Sequence, residues 1–387
     1  MSQPYYVTLT GARNNAGDYL IRHRGHHLLR TVRPDRDLRD RNAWLPFSEE
    51  ALEEINGAAA LILLGGPALR RDMYPAVYPL TDDLAKIKVP IAIMGAGWHA
   101  TPGTWEDSRD YRFTPATRGL LQRVAKDDAG LSVRDFRSLN ALQRAGIRGG
   151  IMTGCPALYV PERYGQPLQP LHENGPRSIV FSTGVTMIRS AAVMRQTKDL
   201  IKQLIELNDA AEFTVAFHHS IDFAALRASY GAGQNASADR HQELVQWLET
   251  EGITYADLSG GVEALLDLYG RADFHVGYRV HGHILMSSLR KPSVLLTEDG
   301  RGRGLKDVLG GIIYDTWAYR VPTVKERLLQ KAGKKMTDKL IAYDGIGEDI
   351  LHAVSYEMVR GYPRLGQPGG RIDELWGGME DFLRGLP

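Results

Sequence analysis

Residues 274–305, FHVGYRVHGHILMSSLRKPSVLLTEDGRGRGL, read as a buried strand, a turn into a helix, and a second buried strand led by Pro292. A strand, a crossover helix and another strand form the building unit of a parallel sheet. Working outward, the same alternation recurs. Toward the N-terminus, EFTVAFHH (212–219) and SIVFSTGV (178–185) are strands, with a long helix over 190–207 between them. Toward the middle of the chain, SADRHQELVQWLETEG (237–252) reads as a helix with Ser237 as cap and Gly252 as stop. Earlier still come AAALILLGG (58–66), PIAIMGAGW (90–98) and AGLSVRD (129–135), the last followed by the helical FRSLNALQRAGI (136–147).

One stretch breaks the alternation. YVPERYGQPLQPLHENGPR (159–177) is rich in Pro, Gly and Asn and has no periodicity, which marks a linker. The expectation is therefore an α/β fold of two Rossmann-like domains facing across a cleft, residues 1–165 and 176–325. A C-terminal segment, 326–387, is expected to be helical and to pack on the body. In open α/β sheets, ligands bind beyond the carboxyl ends of the strands. The residues that matter should sit there: Arg134 and Asp135, His218 and His219, Arg279 and His281, Glu298 and Asp299.

The bulk numbers narrow the function. The chain has 387 residues, with Lys+Arg 47 against Asp+Glu 46, a net charge of +1. That balance argues against a nucleic-acid partner. A single cysteine, Cys155, excludes an internal disulfide. No apolar run is long enough to span a bilayer, and no secretory pattern opens the chain. The expectation is a cytoplasmic protein without a transmembrane segment; peripheral membrane contact and oligomeric state are left open. The arginines of 22–41 are interrupted by Asp35, Asp37 and Asp40 and read mostly as a solvated face.

Several islands carry candidate chemistry, each with a structural competitor. Asn15, Gly17 and Asp18 form a loop able to approach a ligand, or a capped helix start. Arg134 and Asp135 end a strand and serve either a ligand or a salt bridge with a helix cap. Ser182, Thr183 and Gly184 present backbone N–H groups but lack a phosphate-loop lysine. His218 and His219 are adjacent and point to opposite faces, so no shared metal ion is expected. Arg279 stands beside His281, which lies near a helix N-terminus. Unpaired N–H groups there favour anions, and the competitor is a buried ion pair with a core histidine. Glu298, Asp299, Arg301 and Arg303 are expected in a Gly-rich loop over the same crevice.

Taken together, NNAGD (14–18), SVRDFRSLNALQRAGI (132–147) with TGCPAL (153–158), and above all residues 274–305 resemble the polysaccharide pyruvyl transferase family. The order and spacing match from Asn15 to about Leu305. Val280 in place of the usual Leu, and Gly282 and His283 after the motif histidine, are departures. The resemblance implies a GT-B-like architecture, phosphoenolpyruvate as co-substrate, no cofactor and no metal. It implies a saccharide acceptor, free, nucleotide-linked or lipid-linked, whose hydroxyl pair becomes a pyruvate ketal. Phosphoenolpyruvate carries a carboxylate and a phosphate, and arginine forks match both; Arg134 and Arg279 are the expected holders. His281 is the expected general acid, and Asp18 or Asp135 accepts the hydroxyl proton. Asn15, Gly17, Gly184, His218, Gly282, His283, Glu298 and Arg301 complete the expected substrate site. The rival is a GT-B glycosyltransferase using a nucleotide sugar, with Glu298 on the ribose. A non-catalytic binder is the second rival, and three such groups together weigh against it.

Overall fold

The computed structural model describes residues 3–11, 15–126, 130–207, 209–222, 224–225, 238–320 and 339–387. The strands are β1 (Tyr5–Thr10), β2 (Asp37–Asn42), β3 (Ala60–Leu64), β4 (Ile91–Ala96), β5 (Leu131–Val133), β6 (Gly150–Met152), β7 (Ser178–Ser182), β8 (Glu212–Phe217), β9 (Tyr255–Asp257), β10 (Phe274–Gly277), β11 (Ser293–Thr297), β12 (Ile312–Asp315), β13 (Trp317–Tyr319) and β14 (Leu340–Ala342). The helices are α1 (Ala16–Val32), α2 (Glu49–Asn56), α3 (Trp105–Arg109), α4 (Pro115–Lys126), α5 (Phe136–Arg144), α6 (Ala191–Leu207), α7 (Ala238–Thr250), α8 (Glu263–Arg271), α9 (Val280–Ser288), α10 (Gly300–Leu309), α11 (Ile346–Arg360) and α12 (Gln367–Arg384).

Two parallel six-stranded sheets result, in the orders β2-β1-β3-β4-β5-β6 and β12-β11-β10-β7-β8-β9. Every residue of β3, β4 and β11 is buried. This is why those strands read as unbroken apolar runs, since helices cover both faces of a parallel sheet. The two Rossmann-like lobes face each other in a GT-B-like arrangement.

The lobes are stitched together by backbone. The N–H of Ala16, at the start of α1, donates to the His218 carbonyl at the end of β8, 3.0 Å. Gly300 N–H, at the start of α10, donates to Ala100 O, 3.0 Å. Arg137 joins them further by reaching Asp307 at 2.9 Å, held in place by a bond to Gly103 O of its own lobe at 2.7 Å.

The proline-rich connection holds a short 3-10 turn at Pro161–Arg163 and is otherwise irregular up to β7. Arg290 pins it. This guanidinium is almost fully buried, donates to Arg163 O at 3.1 Å, and pairs with Asp373 on α12. The last helix then returns to the first lobe, where the Tyr6 hydroxyl donates to Pro387 O at 2.6 Å. Ile372, Met379, Phe382 and Leu383 join the core formed by α1 and β1.

Five expectations need correction or limits. The strand before Arg279 ends at Gly277, because Tyr278 N–H turns back to Ser182 O and helix α9 begins at Val280. The Gly-rich stretch after Glu298 is a helix rather than a loop: Asp299 caps α10 by accepting from Arg301 N–H at 2.9 Å. The segment after 325 is not wholly helical, since Leu340–Ala342 pairs antiparallel with β13. Ser237, Asn14 and residues 321–338 lie outside the described residues. The arginines of 22–41 are largely ion-paired, with Arg22 on Asp40 and both Arg39 and Arg41 on Glu54, while Arg24 is buried.

Candidate active site

Between the lobes lies a cavity of about 760 Å³. Its floor is built from strand ends and helix starts of both sheets, as the doubly wound topology dictates. Among the described residues Asn15, Asp18, His99, Arg279, Glu298 and Arg301 line it.

The N-terminus of α1 comes first. Asn15 caps it by accepting from Gly17 N–H at 3.2 Å, and its amide donates to Asp18 at 3.1 Å. Burial pushes the Asp18 carboxyl up to about 6, against the pull of Asn15, Arg301, Arg134 and Arg70. Gly17 lies directly against the imidazole of His281: a Cβ at position 17 would sit 2.3 Å from His281 Nδ1. The absent side chain is what lets α1 approach α9.

Arg279 is the N-cap residue of α9, and no side chain caps that helix. Its own N–H donates to Ser182 Oγ at 3.1 Å, which fixes the corner. Among the described residues, Arg279 Nε, His281 Nε2 and both terminal nitrogens of Arg134 are buried with no hydrogen-bond partner. A Cβ on Gly97 would fall 1.9 Å from Arg134 Nε, so this glycine makes room for the guanidinium. Burial, reinforced by Arg134, Arg301 and Arg279, holds His281 down to about 3, so its imidazole is neutral.

The acidic residues here are mostly engaged. Asp135 caps α5 by accepting from Ser138 N–H at 2.7 Å and stands 3.5 Å from Arg134 Nε. It does not line the cavity. Glu298 accepts from Val185 and Thr186 N–H at 2.7 and 2.6 Å, which orders the loop after β7. Gly184 packs on that same carboxylate. Asp299 takes a two-pronged bond from Arg301, and although burial would raise its pKa, that cation holds it down to about 2.

Arg134, His281, Gly17 and Gly184 also fall outside the cavity lining, and three further expected site residues lie deeper. His218 bonds the Tyr269 hydroxyl at 2.7 Å. Gly282 packs on Tyr269 and His275. His283 is fully buried and bonds Ser293 Oγ at 2.8 Å, an oxygen shared with His275. Helix geometry explains the placement of the last: His281 and His283 are on one side only if the segment is a strand, and it is not. Of the adjacent pair 218 and 219, His219 is the one that lines the cavity.

Sequence reasoning passed over His99, Arg70 and Trp44, all of which line the cavity. His99 follows β4, within GAGWHA, so the strand-end rule would have found it. Burial and Arg301 hold its imidazole down to about 4, and its Nε2 is 3.9 Å from Asp299. Among the described residues no group of three or more His, Cys, Asp or Glu is placed to hold a metal ion. Nor is any helix among them long and apolar enough to cross a membrane.

The profile of the polysaccharide pyruvyl transferase family matches residues 6–300. The chain belongs to that family. Its reaction is pyruvyl transfer from phosphoenolpyruvate to a sugar, with phosphoenolpyruvate as co-substrate. No curated protein matches it. Among solved structures it is similar to the UDP-GlcNAc 2-epimerase of Methanocaldococcus jannaschii, at 14% identity and a TM-score of 0.44, over 91% of this chain and 99% of that one. It is also similar to the UDP-GlcNAc 2-epimerase of Neisseria meningitidis bound to UDP-GlcNAc, at 9% identity and a TM-score of 0.48, over 98% and 99%. The S. aureus MnaA–UDP structure stands at 11% identity and a TM-score of 0.47, over 98% and 94%.

Proposed function

We propose that this pyruvyl transferase holds phosphoenolpyruvate between Arg134 and Arg279, with His281 as the proton donor and Asp18 as the proton acceptor. One observation carries the reading: Arg134, Arg279 and His281 cluster beside the cavity with buried nitrogens that bond nothing, Arg279 in its lining and the other two behind it. Buried polar groups are almost always satisfied, so such a cluster points to an absent anion. The uncapped start of α9 adds backbone N–H groups to it.

Burial first, and the surrounding cations second, hold His281 neutral. A phosphate dianion and a carboxylate placed among those cations reverse the balance and raise the imidazole pKa. Donor binding therefore brings a proton with it. That proton goes to the methylene carbon of the enol, which leaves a cationic centre on the adjacent carbon. A sugar hydroxyl attacks this carbon while Asp18, with a pKa near neutrality, accepts its proton. The C–O bond to phosphate breaks, and a second hydroxyl closes the ketal as its proton passes to the now neutral His281 or to the departing phosphate. Asp135 is spent as a helix cap beside Arg134, which favours Asp18 as the acceptor.

His281→Ala tests the assignment by two measurements. Phosphate release from phosphoenolpyruvate and acceptor should fall by about 10²–10⁴, while calorimetric donor affinity falls by about tenfold and loses its dependence on pH. Turnover within a few-fold of the parent would remove His281 from proton transfer.

A further inference from the structure

The cavity is far larger than phosphoenolpyruvate, and its outer part has a different character from the floor. Trp44, on the loop after β2, lines it from the first lobe; Trp317 and Tyr319, on β13, line it from the second. Trp44 and Tyr319 are 44% and 48% exposed, unusual for rings of that size. Neither ring is loosely held. The Trp44 indole donates to Gly11 O at 3.0 Å, and its ring rests on Gly11, where a Cβ would come within 3.2 Å. Tyr319 packs edge-on against the buried Trp317, with centroids 5.3 Å apart. Arg70 and His99 line the cavity as well and bring polar groups to its wall.

We infer that Trp44 and Tyr319 form the acceptor subsite and stack on the faces of a pyranose ring. This rests on the reading of the floor as the donor site. The chemistry favours a stacked sugar. Closing a ketal requires two hydroxyls of one ring to reach the same carbon. Aromatic contact with the C–H faces of the ring fixes its plane and leaves its hydroxyl-bearing edge free for the donor below. Rigid aromatic rings supply contact area at little entropic cost. One ring on each lobe also means that the subsite is complete only when both lobes are in place.

Methyl glycosides of glucose, galactose and mannose serve as probes, with binding followed by saturation-transfer NMR in the presence of phosphoenolpyruvate. At least one should bind the parent protein. Trp44→Ala and Tyr319→Ala should each weaken it about tenfold, and Trp44→Phe should restore most of the loss. Donor affinity, read separately by calorimetry, should stay within twofold of the parent, about the resolution of such a comparison. Ile341→Ala, an exposed apolar change on β14 outside the cavity lining, should leave both unchanged. Absence of glycoside binding to the parent, or glycoside affinity untouched by both alanine changes, overturns the inference. So does uridine monophosphate binding that depends on Trp44 while glycosides ignore it, since the ring would then stack a base. If phosphoenolpyruvate fails to bind the parent while glycosides still depend on Trp44, the donor assignment falls and the saccharide subsite stands.

Discussion

Two strand-to-helix corners meet at this cavity, and they are finished differently. At the β5–α5 corner, Asp135 folds back on Ser138 N–H and closes the helix with its own carboxylate. At the β10–α9 corner the capping position is Arg279, whose side chain makes no capping bond. The helix start of the first corner is capped as folded, although both terminal nitrogens of its Arg134 bond nothing. The second has a cation and open N–H groups where a carboxylate would be expected. A helix start left uncapped beside a buried guanidinium nitrogen that bonds nothing costs local stability, which we read as room for a ligand's charge. The difference separates structure from function more cleanly than the residue types do, because both corners carry an arginine.

Removing the cation of the open corner should have the largest effect. Arg279→Ala should weaken phosphoenolpyruvate binding by ~1.5–3 kcal/mol, measured by calorimetry; unchanged affinity would make this corner no more functional than the other. The next effect is on pH. Burial holds His281 down to about 3, so the proposed role requires it to gain a proton on donor binding. Donor affinity should therefore fall by about tenfold from pH 7 to pH 8, with one proton taken up per donor bound, seen as a buffer-dependent heat. A flat profile with no uptake would break the link between His281 and the anion.

The closed corner gives a smaller and different response. Asp135→Ala should cost about 1 kcal/mol of stability through the lost cap, read from denaturant midpoints. Asp135→Asn keeps a capping side chain, so it should retain most of that stability. Because it also removes a carboxylate 3.5 Å from Arg134, it should tighten rather than weaken donor binding. The smallest shift belongs to Asp18. Its carboxyl is raised from 3.8 to about 6 by burial, so ionisation there opposes folding. That penalty is absent below the unfolded value and fully present above the folded one. Asp18→Asn should thus raise the melting temperature by a few degrees at pH 7.5 and leave it unchanged at pH 3.5, while lowering turnover. A stabilisation equal at both pH values would mean that the carboxylate is not desolvated.

Much of the fold was legible because parallel sheets buried on both faces produce continuous apolar runs, and their crossover helices must lie between them. Asp135 was open to two readings, as ligand holder or helix cap, and local hydrogen bonding gives it the second. Glycines were harder. Gly17 reads as a flexible loop element, yet its contribution is a close approach to an imidazole more than 260 residues away in the chain. His99 and Trp44 went unread because neither interrupts a local pattern; their part depends on which strand ends are brought opposite one another.

The sequence by itself determined the alternation of elements, the division into two sheets, and the carboxyl-end location of the polar islands. Those follow from short-range periodicity and from the need to bury apolar faces. Only the tertiary structure decided which polar residues share the cavity. His281 packs against Gly17, next to the cavity-lining Asp18, while His283, two positions on, bonds Ser293 in the interior, because a helix turns neighbours about 100° apart per residue. Arg134 and Arg279 converge only because α1, α9 and the returning α12 lock the lobes together. That locking depends on packing between residues far apart in the chain, which local patterns do not encode.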